Sequence, residues 1–287
     1  MEYALELKDV AKSYEDFSLQ DINIALPTGT IMGLIGENGA GKSTTIKLIL
    51  DLISRDGGTI NILGQDNKKD LKQVKEYIGI VLDESCFTDN LDLKSIDLIM
   101  KNIYRTWDTD TFMNYANQFS LSRNKIIKNY SHGMKMKLAL AVALAHDTRL
   151  LILDEATSGL DPIIREEILD VFLEFIQDEK HSIFISSHII SDLEKICDYI
   201  TFIHKGKVVF SENKDDLLDN YGILKCSIAE FEAIDKEFIK GYRKNSFGVE
   251  ALVLKNKIAV KGRIDKAIID HASIEDIMLY YIKEQAQ

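Results

Sequence analysis

Nine consecutive residues, Gly36-Glu37-Asn38-Gly39-Ala40-Gly41-Lys42-Ser43-Thr44, carry the spacing G-x-x-x-x-G-K-[ST]. Glycines let successive backbone N–H groups turn inward as an anion nest, and a helix starting behind them adds the positive end of its dipole at the same point. The stretch is expected to hold a polyphosphate, with Gly36, Asn38, Gly39, Ala40, Gly41 and Thr44 around it. Lys42 would reach the terminal phosphates, and the Ser43 hydroxyl would coordinate Mg²⁺. The same glycines could make a plain strand-to-helix turn, but the Lys-Ser-Thr that follows favours the phosphate reading.

A second reactive group is Asp154-Glu155, which ends the apolar run Leu150-Leu151-Ile152-Leu153. In a parallel sheet such a strand delivers its last residues to the crevice where a phosphate loop also lies. Asp154 can then hold Mg²⁺ through its water shell, and Glu155 can orient or deprotonate an attacking water. Alone, a strand ending in two carboxylates is more often a solvated strand end. Its pairing with the phosphate loop gives it chemical meaning.

The elements that must position these groups are legible in the hydrophobic pattern. Residues 30–35 read as a buried strand and residues 44–52 as a helix, so strand, loop and helix come in the required order. Before them, Tyr3, Leu5 and Leu7 alternate with polar neighbours, and Phe17, Leu19, Ile22 and Ile24 follow the Ser13-Tyr14-Glu15-Asp16 turn, which predicts antiparallel strands. Residues 59–63 and 78–82 give two more strands. From 93 to 145 the pattern is helical, with Ile96, Ile99, Met100, Ile103 and Tyr104 on one face and an all-round apolar stretch at 138–145. Strands return at 150–153 and 183–185, with a helix over 163–176 between them, so a parallel, doubly covered sheet is expected at the centre. Residues 200–210 read as a hairpin. Beyond 215 the elements shorten: Leu252 and Leu254 answer Ile258 and Val260 as a hairpin, and Ser273-Ile274-Glu275-Asp276 reads as a capping box. It opens a helix with Ile274, Ile277, Met278, Tyr281 and Ile282 on its inner face.

Composition narrows the function. The balance of 35 Lys+Arg against 46 Asp+Glu, a net charge of -11, argues against nucleic acid as the main partner. Cys86, Cys197 and Cys226 lie far apart without metal-ligand spacing, so no zinc site or disulfide framework is expected and a reducing cytoplasm is favoured. The opening Met1-Glu2-Tyr3-Ala4-Leu5-Glu6 has no signal-peptide pattern, and no run approaches 18 uncharged apolar residues. A chain neither secreted nor membrane-spanning is expected.

With these motifs in place, residues 14–210 resemble the nucleotide-binding subunit of an ATP-binding cassette (ABC) transporter. Ala156-Thr157-Ser158-Gly159-Leu160-Asp161-Pro162 resembles the family's D-loop, which implies that Asp161 lies at the contact between two copies. Ser186-Ser187-His188 resembles the switch-histidine segment, with His188 on the γ-phosphate. Tyr130-Ser131-His132-Gly133-Met134 stands where the family carries Leu-Ser-Gly-Gly-Gln. Ser131 and Gly133 match and would meet a γ-phosphate, whereas Tyr130, His132 and Met134 depart. A bulky residue at the first glycine position resembles the subfamily that works with ABC-2 export-type membrane subunits. Tyr14 resembles the aromatic that stacks on adenine. Asp83 stands where the family usually has a metal-side glutamine, and Glu84 is a rival for that role. Ionised Asp only accepts hydrogen bonds, whereas Gln also donates.

The resemblance implies an α/β P-loop ATPase fold with a mixed-sheet core, an antiparallel β subdomain, a helical subdomain inserted at 85–148 and a small α+β appendage. The ATPase domain is expected over 1–214 and the accessory region, stabilising or regulating the dimer, over 215–287. It further implies ATP and Mg²⁺ as ligands, with Glu155, His188 and Lys42 as the catalytic groups. Two copies would pair head to tail, each γ-phosphate lying between Lys42, Ser43, Glu155 and His188 of one and Ser131 of the other. Integral-membrane transporter subunits are the implied partners, seated by a short helix in a groove over residues 87–107, where Tyr104 and Trp107 serve as contacts or as core. The chain would be peripheral on the cytoplasmic face of the cell membrane. Alternatives are a soluble cassette acting on nucleic acid or ribosomes, an importer ATPase, and a P-loop kinase or GTPase. In the last, the signature-like Ser131 segment and the D-loop-like segment would be superfluous.

Overall fold

The computed structural model describes residues 2–69, 71–82, 87–123, 125–255 and 268–284. It divides into two units, Met1–Ser211 and Glu212–Gln287.

In the first unit, β1 (Tyr3–Ser13), β2 (Ser18–Pro27), β4 (Gly57–Ile62) and β5 (Gln65–Asp66) form an antiparallel sheet in the order β2-β1-β4-β5. Its alternation sends Leu5, Leu7, Ile22, Ile24, Ile60 and Ile62 inward. The central sheet runs β10-β9-β3-β8-β7-β6, built from β3 (Ile31–Ile35), β6 (Ile78–Val81), β7 (Leu150–Asp154), β8 (Ser182–Ser186), β9 (Tyr199–His204) and β10 (Lys207–Asn213). From β6 to β9 the neighbours are parallel. Every residue of β3, β7 and β8 is buried, as the unbroken apolar runs predict for strands covered on both faces. The two sheets share one core, in which Leu5, Leu7 and Ile22 join Met32, Ile152 and Phe184. Each such side chain contributes about 1.5–3 kcal/mol by leaving water.

Helix α1 (Lys42–Ile49) starts directly behind Gly41, two residues earlier than the sequence pattern suggests. The short α2 (Leu71–Val74) precedes β6, and the helices α3 (Leu93–Ile103), α4 (Thr109–Gln118) and α5 (His132–Ala143) lie between β6 and β7. Asp92 and Asp108 cap α3 and α4 by accepting backbone N–H groups. The predicted face of α3 is only partly covered: Ile96 is fully buried, while Ile99 and Ile103 remain 39% and 58% exposed. Helix α6 (Pro162–Phe175) has proline in its first turn, and α7 (Ile190–Ile196) follows β8.

The second unit holds α8 (Lys214–Asn220), β11 (Tyr221–Cys226), α9 (Ile228–Glu232), β12 (Ile239–Asn245), β13 (Gly248–Leu254), β14 (Ile268–His271) and α10 (Ile274–Glu284). The sheet is antiparallel in the order β12-β13-β11-β14. The expected hairpin of Leu252 and Leu254 with Ile258 and Val260 is corrected here. Leu252 pairs with Ile223 on one side and Gly241 on the other, so β13 has no vacant edge, while Ile258 and Val260 lie outside the described residues. The hairpin that forms is β12–β13, closed where Asn245 Oδ1 accepts from the N–H groups of Phe247 and Gly248. The capping box at Ser273 and Asp276 is present, with reciprocal bonds of 3.1 Å. On α10, Ile274, Ile277 and Tyr280 are buried, and Tyr281 instead meets Tyr221, hydroxyl to hydroxyl, at 2.6 Å.

Candidate functional site

The phosphate loop leaves β3 at the C-terminal edge of the parallel sheet. A Cβ on Gly36 would stand 2.4 Å from the Ile203 carbonyl oxygen, so only glycine lets β9 come this close. Gly41 has a φ of 115°, in the region that favours glycine, and a Cβ there would meet Leu19 at 2.5 Å. The turn after β9 supports the loop from below: the Gly206 N–H donates to the Ala40 carbonyl at 3.0 Å. Glu37 places a carboxylate oxygen 3.0 Å from Nδ1 of His204, a histidine 5% exposed.

The loop and the ends of β7 and β8 surround a cleft of about 600 Å³. Its lining includes Glu37, Asn38, Gly39, Gly41, Lys42, Ser43 and Thr44 from the loop, Glu155 and Ser158 from the segment after β7, and His188 from beyond β8. Lys42 is 6% exposed; its Nζ donates to the Gly36 carbonyl at 2.8 Å and lies 3.5 Å from Glu155 Oε1. Glu155 Oε2 faces the other way, 2.6 Å from His188 Nδ1, and also accepts the His188 backbone N–H at 3.2 Å. Glu155 thus sits between a buried ammonium and an imidazole. Its φ of 54° is rare for a residue with a side chain, a conformation that clusters at functional sites.

Beside this chain of groups, Asp154 Oδ1 accepts from Ser43 Oγ at 3.3 Å and from Ser186 Oγ at 2.6 Å. The sequence places Ser186 in the switch-histidine-like segment but gives it no contact with Asp154, beside which it lies in the β7–β8 register. Phe17, Glu37 and Ser158 line the cleft too, and their part in it, beyond membership of a strand or motif, escaped the sequence pattern. So did Arg165, which donates from Nη2 to the Leu160 carbonyl at 3.2 Å and places Nε 3.8 Å from the buried carboxylate of Asp192. That pair fixes the segment after Glu155 to α7.

The remaining candidates stand outside the cleft. Ser131 is the N-cap of α5 and accepts from the Met134 N–H at 3.3 Å. Gly133, in the same turn, sits where a Cβ would meet Ile164 at 2.8 Å. Asp161 caps α6 by accepting from Ile163 and Ile164, both at 3.1 Å. Tyr14 lies in the β1–β2 turn, 49% exposed, with the Lys12 ammonium 5.5 Å from its ring centroid; Phe17, three residues on, is the aromatic that lines the cleft. Asp83 and its rival Glu84 lie outside the described residues.

Among the described residues no three His, Cys, Asp or Glu side chains cluster as a protein-only metal cage. Ser43 and Asp154 nevertheless offer neighbouring oxygen donors at the mouth of a phosphate site, the donor set that Mg²⁺ uses when phosphates and water complete its shell.

A second, apolar groove of about 490 Å³ is lined by Leu52, Ile80, Phe87, Ile96, Ile99, Met100 and Tyr104, among others. Tyr104 is held there by stacking on His146, with centroids 4.0 Å apart and planes within 8°. Trp107 is not part of the groove: its Nε1–H donates to Asp97 at 2.8 Å and its ring packs on Phe112. No helix among the described residues is long and apolar enough to cross a membrane.

The family model described as "ABC transporter" matches residues 19–158. Among curated proteins, the bacitracin transport ATP-binding protein BcrA of Enterococcus faecalis is 33% identical over 222 residues, 76% of this chain and 71% of that one. The lantibiotic transport ATP-binding protein SrtF of Streptococcus pyogenes is 34% identical over 226 residues, 75% of this chain and 96% of that one. Among solved structures, an ATP-binding subunit of an ABC transporter superposes with a TM-score of 0.67 at 27% identity, covering 75% of this chain and 91% of that one. A dimeric ATP-binding cassette in a post-hydrolysis state with ADP and Pi, 21% identical, shares the fold with a TM-score of 0.65 over 73% of this chain and 98% of that one. The phosphate loop, the paired carboxylates and the extent of these matches agree, and the chain belongs to the ABC transporter family as an ATP-binding subunit.

Proposed function

We propose that this subunit hydrolyses ATP in the cleft between Lys42, Glu155 and His188, as one half of a head-to-tail pair, and thereby powers export through separate integral-membrane subunits. The observation that carries the reading is the position of Glu155, held between Lys42 and His188 beside the Ser43–Asp154 pair.

The triphosphate enters the loop's nest of N–H groups, and Lys42 exchanges its bond to Gly36 for the terminal phosphate. Glu155 is then released from the lysine to orient an attacking water and accept its proton, while His188 keeps the carboxylate aimed and donates to the γ-phosphate. Ser43 and Asp154 would hold Mg²⁺, which would supply neutralisation of the phosphate charge. Ser131 and the first turn of α5 lie outside this cleft, which fits a role at the second copy's nucleotide. The pair would close on ATP and open after hydrolysis, a population shift available to the membrane subunits.

The apolar groove fits a short cytoplasmic helix of those subunits, laid in by its apolar face. The chain would then sit peripherally on the cytoplasmic face of the membrane. The departures in the Ser131-His132-Gly133-Met134 turn, together with relatives named for bacitracin and lantibiotic transport, support export as the direction.

Light scattering on Glu155→Gln protein tests the paired reading. Mass should double with Mg-free ATP and remain single with ADP or without nucleotide. A protein that binds ATP tightly yet stays single under all three conditions would remove the homodimeric composite site.

A further inference from the structure

The signature-like segment departs from the family at His132, and nothing in the reaction above uses that side chain. His132 opens α5 one residue after the N-cap Ser131. Its Nε2 lies 3.1 Å from the carbonyl oxygen of Ser158. A carbonyl only accepts, so the ring donates from Nε2–H. The ring also lies over Gly159, where a Cβ would approach two of its atoms at 3.8 Å. Ser158 in turn lines the nucleotide cleft and donates its N–H to the Glu155 carbonyl at 3.0 Å. One side chain therefore ties the turn that presents Ser131 to the loop that runs on from Glu155. Glycine, the residue the family carries at this position, has no donor to offer there.

We propose that His132 is a positioning residue linking the two clefts of the head-to-tail pair, an inference that rests on the paired, ATP-hydrolysing reading. In such a pair Ser131 completes the second copy's cleft while Ser158 lines its own. Filling one cleft displaces Ser158, and the His132 bond carries that displacement to Ser131 at the other. The link is a coupling free energy between two binding sites, so it acts in both directions. One hydrogen bond of this kind changes an equilibrium about five-fold.

The test measures ATPase rate against ATP concentration for full-length wild type, His132→Gly and His132→Gln, alongside the ATP affinity of each without Mg²⁺. Glutamine retains an N–H donor of similar reach, and glycine removes it. The expected result is a wild-type Hill coefficient above one that falls to one in His132→Gly, with the second ATP bound about five-fold more weakly, the first bound as in wild type, and recovery in His132→Gln. His132→Ala, with better helix propensity, carries the same expectation should the glycine variant fail to fold. A wild-type Hill coefficient of one, a glycine variant indistinguishable from wild type, or an equal loss in His132→Gln overturns the proposal. A weakened affinity for the first ATP in His132→Gly also overturns it, because the damage would then be to the chain's own cleft. A wild type that neither hydrolyses ATP nor pairs overturns the proposed function itself, a separate result.

Discussion

Glu155 and His188 are joined twice through one oxygen: Glu155 Oε2 lies 2.6 Å from His188 Nδ1 and accepts the His188 backbone N–H at 3.2 Å. The imidazole and the backbone of one residue thus fix the carboxylate's torsion, while its other oxygen remains with Lys42 at 3.5 Å. Removing the charge without changing the shape separates base chemistry from binding. Glu155→Gln is expected to keep ATP affinity within a few-fold and to lower kcat by about 10²–10⁴. Single-turnover hydrolysis, measured beside equilibrium ATP binding, checks both halves, and rapid turnover by this variant would remove Glu155 from the role of base.

Ser186 presents a different kind of dependence. Its hydroxyl, 2.6 Å from Asp154 Oδ1, is the closer of the two donors that hold this 7%-exposed carboxylate. Ser186→Ala leaves a buried acceptor under-satisfied, which costs about 1–3 kcal/mol of stability. It also frees Asp154 to turn away from Ser43, so the Mg²⁺ concentration needed for half-maximal ATPase should rise. Thermal melts and a Mg²⁺ titration read the two effects. A variant with wild-type values in both would show that Ser43 alone orients Asp154.

Much of this site was legible because its chemistry is contiguous in the chain. The phosphate loop is one stretch of nine residues, and Asp154-Glu155 ends one apolar strand. What escaped are the contacts made from a distance in sequence. Ser186 reaches Asp154 only because β8 runs beside β7, and Arg165 reaches Asp192 only because α6 and α7 pack together. The second unit shows the same limit. Alternation alone paired Leu252 and Leu254 with the segment after them, yet a strand's apolar face says nothing about which edge a neighbour takes. The turn chemistry at Asn245, whose side chain accepts two backbone N–H groups, decides for the segment before them. Likewise the inner face of α10 passes through Tyr280, one position from the expected Tyr281, because a tyrosine at the stripe's border can hydrogen-bond from either side.

His146 gives the fold a sensitivity to acid. Burial against the Tyr104 ring pushes its pKa below the usual value of about 6.5, even though the Glu76 carbonyl and the nearby Glu76 and Asp147 carboxylates favour the charged form. The unfolded chain therefore binds more protons at this residue between the lowered pKa and about 6.5, and stability falls as pH drops through that window. The slope contributed is at most about 1.4 kcal/mol per pH unit. Denaturant midpoints should fall between about pH 7 and 5 in wild type and fall less in His146→Gln. Parallel pH profiles for the two proteins would assign the acid sensitivity to other groups.

The groove separates docking from nucleotide chemistry, because none of its lining residues also lines the cleft. Ile99 is the position that tests it most cleanly: it is 39% exposed on α3, so a charge there stays solvated in the isolated chain and the cost to folding is small. Against an apolar helix of a membrane subunit, the same carboxylate would be stripped of water without a partner, a penalty of several kcal/mol. Ile99→Glu is therefore expected to retain ATP binding and ATP-driven pairing while losing association with membranes that contain the transporter subunits. Co-sedimentation with such membranes, with ATP affinity as the control, measures this. Undiminished co-sedimentation would move the membrane contact away from this groove.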